Sequence, residues 1–297
     1  MNILNLSNDD TGGNSYYTMR AINAHTPHEA RAVKLMKSYL NYPADLYQPN
    51  NQQLRGLYKW ADVIHIRNHW DALPSGFESK PVVVTFTNMS YRKRPGYYTL
   101  MCLDRGWTVT VSTIDLVKWN KAIWLPNPRE DMLEQGRDRY DVFTIAHSPT
   151  KRVRKGTETI IKAVEGLNGV RLELIENTPY AECLLRKARC HMMIDQFTYG
   201  YGNSAIESWA FGQPVISHAS INPEVPEFIK QELGYLPWLD VPENVRCLRD
   251  AIMSLKDDAD LYRLMVSRGR EWYNRHHTFD AIANQVVTIY EETIDGY

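Results

Sequence analysis

The 297-residue chain is too long for one typical small domain and comfortable for two. At 43% hydrophobic and 23% charged residues it has the composition of a globular protein, which excludes a disordered or low-complexity chain. Its 34 Lys and Arg nearly balance 35 Asp and Glu, for a net charge of −1, so no global field draws it onto nucleic acid or a membrane surface.

The opening "MNILNLS" lacks the basic start and long apolar run of a signal peptide. It reads instead as a strand, Ile3–Leu6, followed by a glycine turn and a helix in "NDDTGGNSYYTMRAINAH". Further strands are predicted at Val63–Ile66, Val82–Phe86, Val109–Ser112 and Ile123–Leu125. A second series follows at Phe143–Ala146, Leu172–Ile175, Met192–Ile194 and Val215–Ser217. Many of these runs are continuously apolar rather than alternating, which suits strands buried on both faces of a parallel sheet. Helical patterns separate them, as in "KGTETIIKAVEGL" (155–167), and the chain from about Val245 onward reads as successive helices.

Between the two series lies "LPNPREDMLEQGRDRYD" (125–141), with two prolines and a run of charge. The expected organisation is therefore α/β: two doubly wound Rossmann-like domains facing a cleft, residues 1–139 and 140–278, with a C-terminal helix over 279–297 packing back on the first. No stretch approaches the apolar length of a membrane span. Cys102, Cys183, Cys190 and Cys247 form no CxxC pair, so free thiols and a cytoplasmic setting are expected.

Two loops carry the chemistry. In "MMIDQFTYGYGNSAIESWAFG" a strand ends, Gly200 and Gly202 follow, and a helix begins near Asn203 or Ser204. A helix N-terminus offers unpaired N–H groups and partial positive charge, and glycines let an anion approach them. Glu207 lies close enough to take a hydroxyl of the same ligand. The plain alternative is a tight strand–helix turn. The second loop, "AHSPTKRVRKGTE" (146–158), also joins a strand end to a helix start and holds Lys151, Arg152, Arg154 and Lys155. Such cations suit the developing charge of a diphosphate leaving group, although a solvated basic loop has the same composition.

These stretches, with "LELIENTPYAEC" between them, resemble the donor-binding half of GT-B nucleotide-sugar glycosyltransferases, most closely the retaining group called family 4. The resemblance implies that Arg152 and Lys155 bind the donor diphosphate and that Glu207 holds the ribose. It implies donor contacts from Gly12 and Gly13 in the first domain, and from Glu176, Gln196, Phe197, Gly200, Tyr201, Gly202, Asn203 and Ser204 in the second. Gln196 and Phe197 would frame the base, and Tyr199 and Tyr201 would face the sugar. Tyr199 stands where the family carries its first glutamate, and Thr87 or Asn88 where many members carry a histidine.

Acceptor contacts are expected from Asn88, Tyr91, Arg92, His65 and His69. The expected activity is transfer of a sugar, with retention and without a metal, from a nucleotide-diphosphate donor such as a UDP-sugar to a hydroxyl on a glycan, a lipid-linked or a small-molecule acceptor. No cofactor is expected beyond that co-substrate. Two other readings stand beside it: a DNA-modifying enzyme of viral type gripping duplex through residues 92–94, and a silent GT-B-like binding protein.

Overall fold

The computed structural model describes residues 1–10, 12–68, 79–117 and 122–297. They form two compact units, Met1–Pro128 with His276–Tyr297, and Arg129–Arg275.

The first unit runs β1 (Asn2–Ser7), α1 (Asn14–His25), β2 (Glu29–Lys34), β3 (Leu46–Tyr47), α2 (Asn51–Trp60), β4 (Val63–Arg67), β5 (Val82–Phe86), α3 (Met89–Lys93), α4 (Pro95–Leu103), β6 (Thr108–Val111) and β7 (Ile123–Trp124). The described strands pair in parallel in the order β3-β2-β1-β4-β5-β6-β7. Successive side chains point to opposite faces. Ile3, Val63 and Val83 therefore enter one apolar cluster, while Leu4, Ile64, Val82 and Val84 enter another. Both faces are covered, which is why the runs are continuously apolar. The first face is closed by Met19 and Ile22 of α1 and by Ile282, Val286, Ile289 and Tyr290 of the last helix, Phe279–Asp295. The sequence reading omits β2, whose "EARAVK" is half charged; its exposed Glu29 and Arg31 alternate with buried Ala30 and Ala32.

In the second unit β8 (Phe143–His147) is followed by α5 (Arg152–Lys155), α6 (Thr157–Val164), β9 (Val170–Leu174), α7 (Tyr180–Ala188), β10 (Met192–Ile194) and α8 (Asn203–Ala210). Then come β11 (Val215–Ser217), α9 (Glu224–Leu233), β12 (Leu239–Asp240), α10 (Val245–Asp257) and α11 (Ala259–His276), before α12 (Phe279–Asp295) returns to the first unit. The strands are parallel in the order β12-β11-β10-β8-β9. Ile145, Met192, Ile194 and Ile216 of the sheet pack with Ile160 and Ala163 of α6 and with Leu248 and Ile252 of α10.

The chain crosses between units at Pro128/Arg129 and Arg275/His276, where the sequence suggests 139/140 and 278/279. Arg129 belongs with the second unit because its guanidinium is fully buried there, against Glu207. Among the described residues no helix is long and apolar enough to cross a membrane.

Candidate functional site

Strand order reverses in the second unit between β8 and β10: β9 lies to one side of β8, while β10, β11 and β12 lie to the other. A crevice opens at the carboxyl ends of the strands at such a point, and ligands of doubly wound sheets bind there. The loops after β8 and β10 flank it. His147 ties their bases together. Its Nδ1 donates to the Ile194 carbonyl at 2.8 Å, so Nε2 accepts from Thr157 Oγ1 at 2.9 Å. Burial lowers this imidazole to a pKa of about 4, and it is neutral at physiological pH.

The two loops then converge. Lys155 Nζ lies 2.5 Å from Asp195 Oδ1, and the Gly202 amide donates to Asp195 Oδ2 at 2.6 Å. Asp195 is buried beneath the pair, whereas the Lys155 side chain keeps 18% of its surface open. One carboxylate thus fixes both an ammonium and the start of α8. Beside them Ser148 Oγ and Ser204 Oγ meet at 3.0 Å.

The glycines divide by cause. Gly156 has φ +64°, and a Cβ there would stand 2.5 Å from Phe197 Cδ2. Gly200 has φ +87°, and its Cβ would stand 2.9 Å from Val225 Cγ1. Both positions are demanded by backbone and packing. Gly202 is different. Its φ of −128° suits any residue, and its Cβ would only touch Asp195, Lys155 and Gln196 at 3.4, 3.7 and 3.8 Å. A side chain at 202 would cover the ammonium; glycine leaves it open. Gly202 also takes the capping position of α8, so Asn203 and Ser204 are its first residues rather than its caps.

Several sequence expectations need correction here. Glu207 is 1% exposed and its oxygens are already engaged. Oε1 accepts from Arg129 Nε at 3.3 Å and Tyr180 Oη at 3.2 Å, and Oε2 from Lys187 Nζ at 2.7 Å. Burial works to raise its pKa, but the two cations outweigh burial and hold the carboxyl below its usual range. Burial likewise opposes the Lys187 charge, and Glu207 overrides it. Glu207, expected to hold a ribose, is the centre of a buried ion cluster. Phe197, 1% exposed, packs in the core under Gly156 and frames no base. Tyr201 points its ring among Trp209, Trp238 and Trp272 and accepts from Trp272 Nε1 at 3.0 Å. Tyr199 and Gln196 stay in the loop between β10 and α8, half-buried and buried respectively. Arg152 is on the surface, with Nε and Nη2 on Glu176 at 2.8 Å each and Nη1 on Glu158 at 2.6 Å.

In the first unit the residues expected to meet an acceptor are mostly structural. His65 is fully buried between Tyr290 Oη at 2.7 Å and Thr85 Oγ1 at 2.6 Å, and burial keeps it neutral. Tyr91 is fully buried, stacked on Phe86 at 4.4 Å and bonded to Thr99. Arg92 grips Asp115 with two bonds and the Thr87 carbonyl with a third. Asn88 caps α3 by accepting from the Tyr91 amide at 2.9 Å. The Gly13 φ of +67° and its approach to Tyr42, 2.5 Å from a built Cβ, account for that glycine within the unit. Gly12 precedes it with φ +108°. His69 lies outside the described residues.

Sequence reasoning missed Asp195, Lys187, Arg129 and Ser148. Asp195 had a signal, an acid directly after the apolar run of β10. Lys187 had a fainter one, a lysine two turns after Tyr180 on the inward side of α7. Arg129 had none. The first unit has its own reversal between β1 and β4. A small polar depression there is lined by Asp10, Asn14, Arg67, Asn68 and Thr87, among others.

No known family profile matches the sequence, and no curated protein does. Solved structures do match the fold. HepE from Anabaena in complex with UDP-glucose superposes with a TM-score of 0.67 over 98% of this chain and 100% of its own, at 11% identity. The fold is GT-B. A glycosyltransferase from Rickettsia africae aligns at TM-score 0.62 and 13% identity over 100% of this chain and 99% of its own. An alpha-glucosyltransferase in complex with UDP and a 13-mer DNA aligns at 0.64 and 12% over 98% of this chain and 100% of its own. At these identities the likeness is one of architecture.

Proposed function

We propose that the chain is a glycosyltransferase that takes a UDP-sugar at the carboxyl end of the second unit's sheet and passes the sugar to an acceptor hydroxyl. The observation that carries this reading is the meeting of Lys155 with the α8 N-terminus at the β8/β10 reversal, with glycine at 202 leaving the ammonium accessible. It is supported by the occupants of similar structures, UDP-glucose in HepE and UDP in HepE, in the alpha-glucosyltransferase and in MnaA of S. aureus.

In this mechanism the bond between the sugar's anomeric carbon and the diphosphate breaks, and negative charge gathers on the departing oxygens. Lys155, fixed from behind by Asp195, meets that charge from one side. The first turn of α8 and the hydroxyls of Ser148 and Ser204 meet it from the other. The acceptor oxygen bonds to the anomeric carbon on the face the diphosphate leaves, which retains configuration, and its proton passes to a diphosphate oxygen. These groups supply the positive field without a divalent ion, so turnover is expected to persist in a chelator.

The test is Lys155→Ala with UDP-glucose and related donors. The expected result is a fall in turnover of about 10²–10³, the loss typical of one well-placed electrostatic donor, with an unchanged circular dichroism spectrum. Unchanged turnover would refute the role.

A further inference from the structure

The near-zero net charge of the chain is not evenly spread over the first unit. One face of its sheet is covered by α2, α3 and α4, which bury Leu54, Tyr91 and Cys102 in a shared cluster. These three helices contain no aspartate or glutamate. Along them Arg55, Lys59, Lys93 and Arg94 are exposed. Among the described residues Arg31 pairs with Glu29 and Arg92 with Asp115, but those four cations enter no ion pair.

Helix α4, "PGYYTLMCL", carries no charge at all. Its inner side buries Thr99 and Cys102, yet its outer side shows Tyr97 and Leu100, 53% and 57% exposed. Three residues apart, these two share one side of the helix. A helix at a water-facing surface ordinarily turns polar residues outward. Here the outward side is apolar, with Lys93 and Arg94 before it and Asp104 and Arg105 after it, all exposed. Apolar and aromatic side chains flanked by cations suit the boundary between lipid headgroups and acyl chains.

Helix α2 adds a second contact. Its exposed residues Asn51, Gln52, Arg55, Gly56 and Lys59 line an open groove. Glycine weakens a helix interior relative to alanine, and a Cβ at Gly56 would meet nothing within 4 Å. Packing inside the unit therefore does not require this glycine. It leaves a notch beside Arg55 and Lys59 that a phosphate group can enter.

We propose that this face of the first unit rests on an anionic lipid bilayer. Helix α4 inserts Tyr97 and Leu100, and α2 receives phospholipid headgroups at Arg55 and Lys59. A nucleic-acid duplex would also attract the cations, but its phosphate backbone offers an exposed leucine no apolar partner.

The test is co-sedimentation of the full chain with vesicles of phosphatidylcholine alone, and of equal parts phosphatidylcholine and phosphatidylglycerol. Binding is expected to the mixed vesicles only and should weaken as salt is added. Lys93→Gln combined with Arg94→Gln should weaken it about 10- to 30-fold, the effect of two cations near an anionic surface. Leu100→Ser should weaken it about 10-fold through lost apolar burial. Gly56→Glu and Ala24→Glu separate this face from overall charge. They make the same change of charge, one on α2 and one at an exposed position of α1, which covers the opposite face of the sheet. Only Gly56→Glu should lose the mixed vesicles, with its melting temperature kept or raised. Equal losses in the two glutamate variants, full binding by Leu100→Ser, or no binding of the original protein to mixed vesicles would overturn the proposal. Binding of duplex DNA by a chain that ignores the vesicles would overturn it in favour of nucleic acid.

Discussion

At the scale of single residues, the second unit separates cations that a ligand can reach from cations that the fold consumes. Lys155 belongs to the first kind and Lys187 to the second, although both pair with a carboxylate at 2.5–2.7 Å. Removing one partner of a buried pair leaves an uncompensated charge, so Lys187→Met should destabilise the second unit by about 3–5 kcal/mol in urea melts. The pH dependence follows from the directions of the shifts. Glu207 is depressed, so its contribution is present above about pH 4.3, its unfolded value, and is lost as pH falls through the folded value. Lys187 is raised, so its contribution is complete below about pH 10.4 and is lost as pH rises through the folded value. The gap between original and Lys187→Met should therefore be flat across neutral pH and narrow below about pH 4. A gap independent of pH down to acid unfolding would contradict the cluster. The sequence could place Glu207 on its helix, but not foresee its partners. Arg129 lies 78 residues away and Lys187 20 residues away, and only the closed fold brings them together.

Among the elements, those with unbroken apolar runs were legible because burial on both faces leaves no room for polar residues. Strands β1, β4, β5, β8 and β10 fall where the runs predict them. Strands β2, β3 and β12 were not legible, since β2 begins with exposed charges on one side and β3 and β12 span two residues each. The loops after β8 and β10 were found from their glycines and cations, yet glycine alone could not say which positions packing demands. Gly269 in α11 poses the same question. Helix propensity favours Gly269→Ala by about 1 kcal/mol. A Cβ there would stand 2.2 Å from Trp209 Cδ1 and 2.6 Å from its Nε1, inside a fully buried indole. Overpacking of that kind costs about 1–3 kcal/mol, so the substitution should lower the melting temperature. A higher melting temperature would show that α11 can shift away from Trp209.

For the whole molecule, the first unit is assembled from both ends of the described chain. Helix α12 supplies Ile282, Val286, Ile289 and Tyr290 to its core, and the Tyr290 hydroxyl meets His65. Deleting residues 279–297 should therefore leave the first unit without a cooperative transition while the second, continuous over Arg129–Arg275, still melts as one. Calorimetry that showed two intact transitions would refute this. The same arrangement matters on the ribosome. Residues 1–128 emerge with one face of their sheet covered by α1 alone, and it stays so while the second unit is being translated, on the order of ten seconds at ordinary elongation speeds. During that interval Ile3, Val63 and Val83 have no α12 to cover them, so nascent chains of this protein should recruit chaperones before the last helix is made.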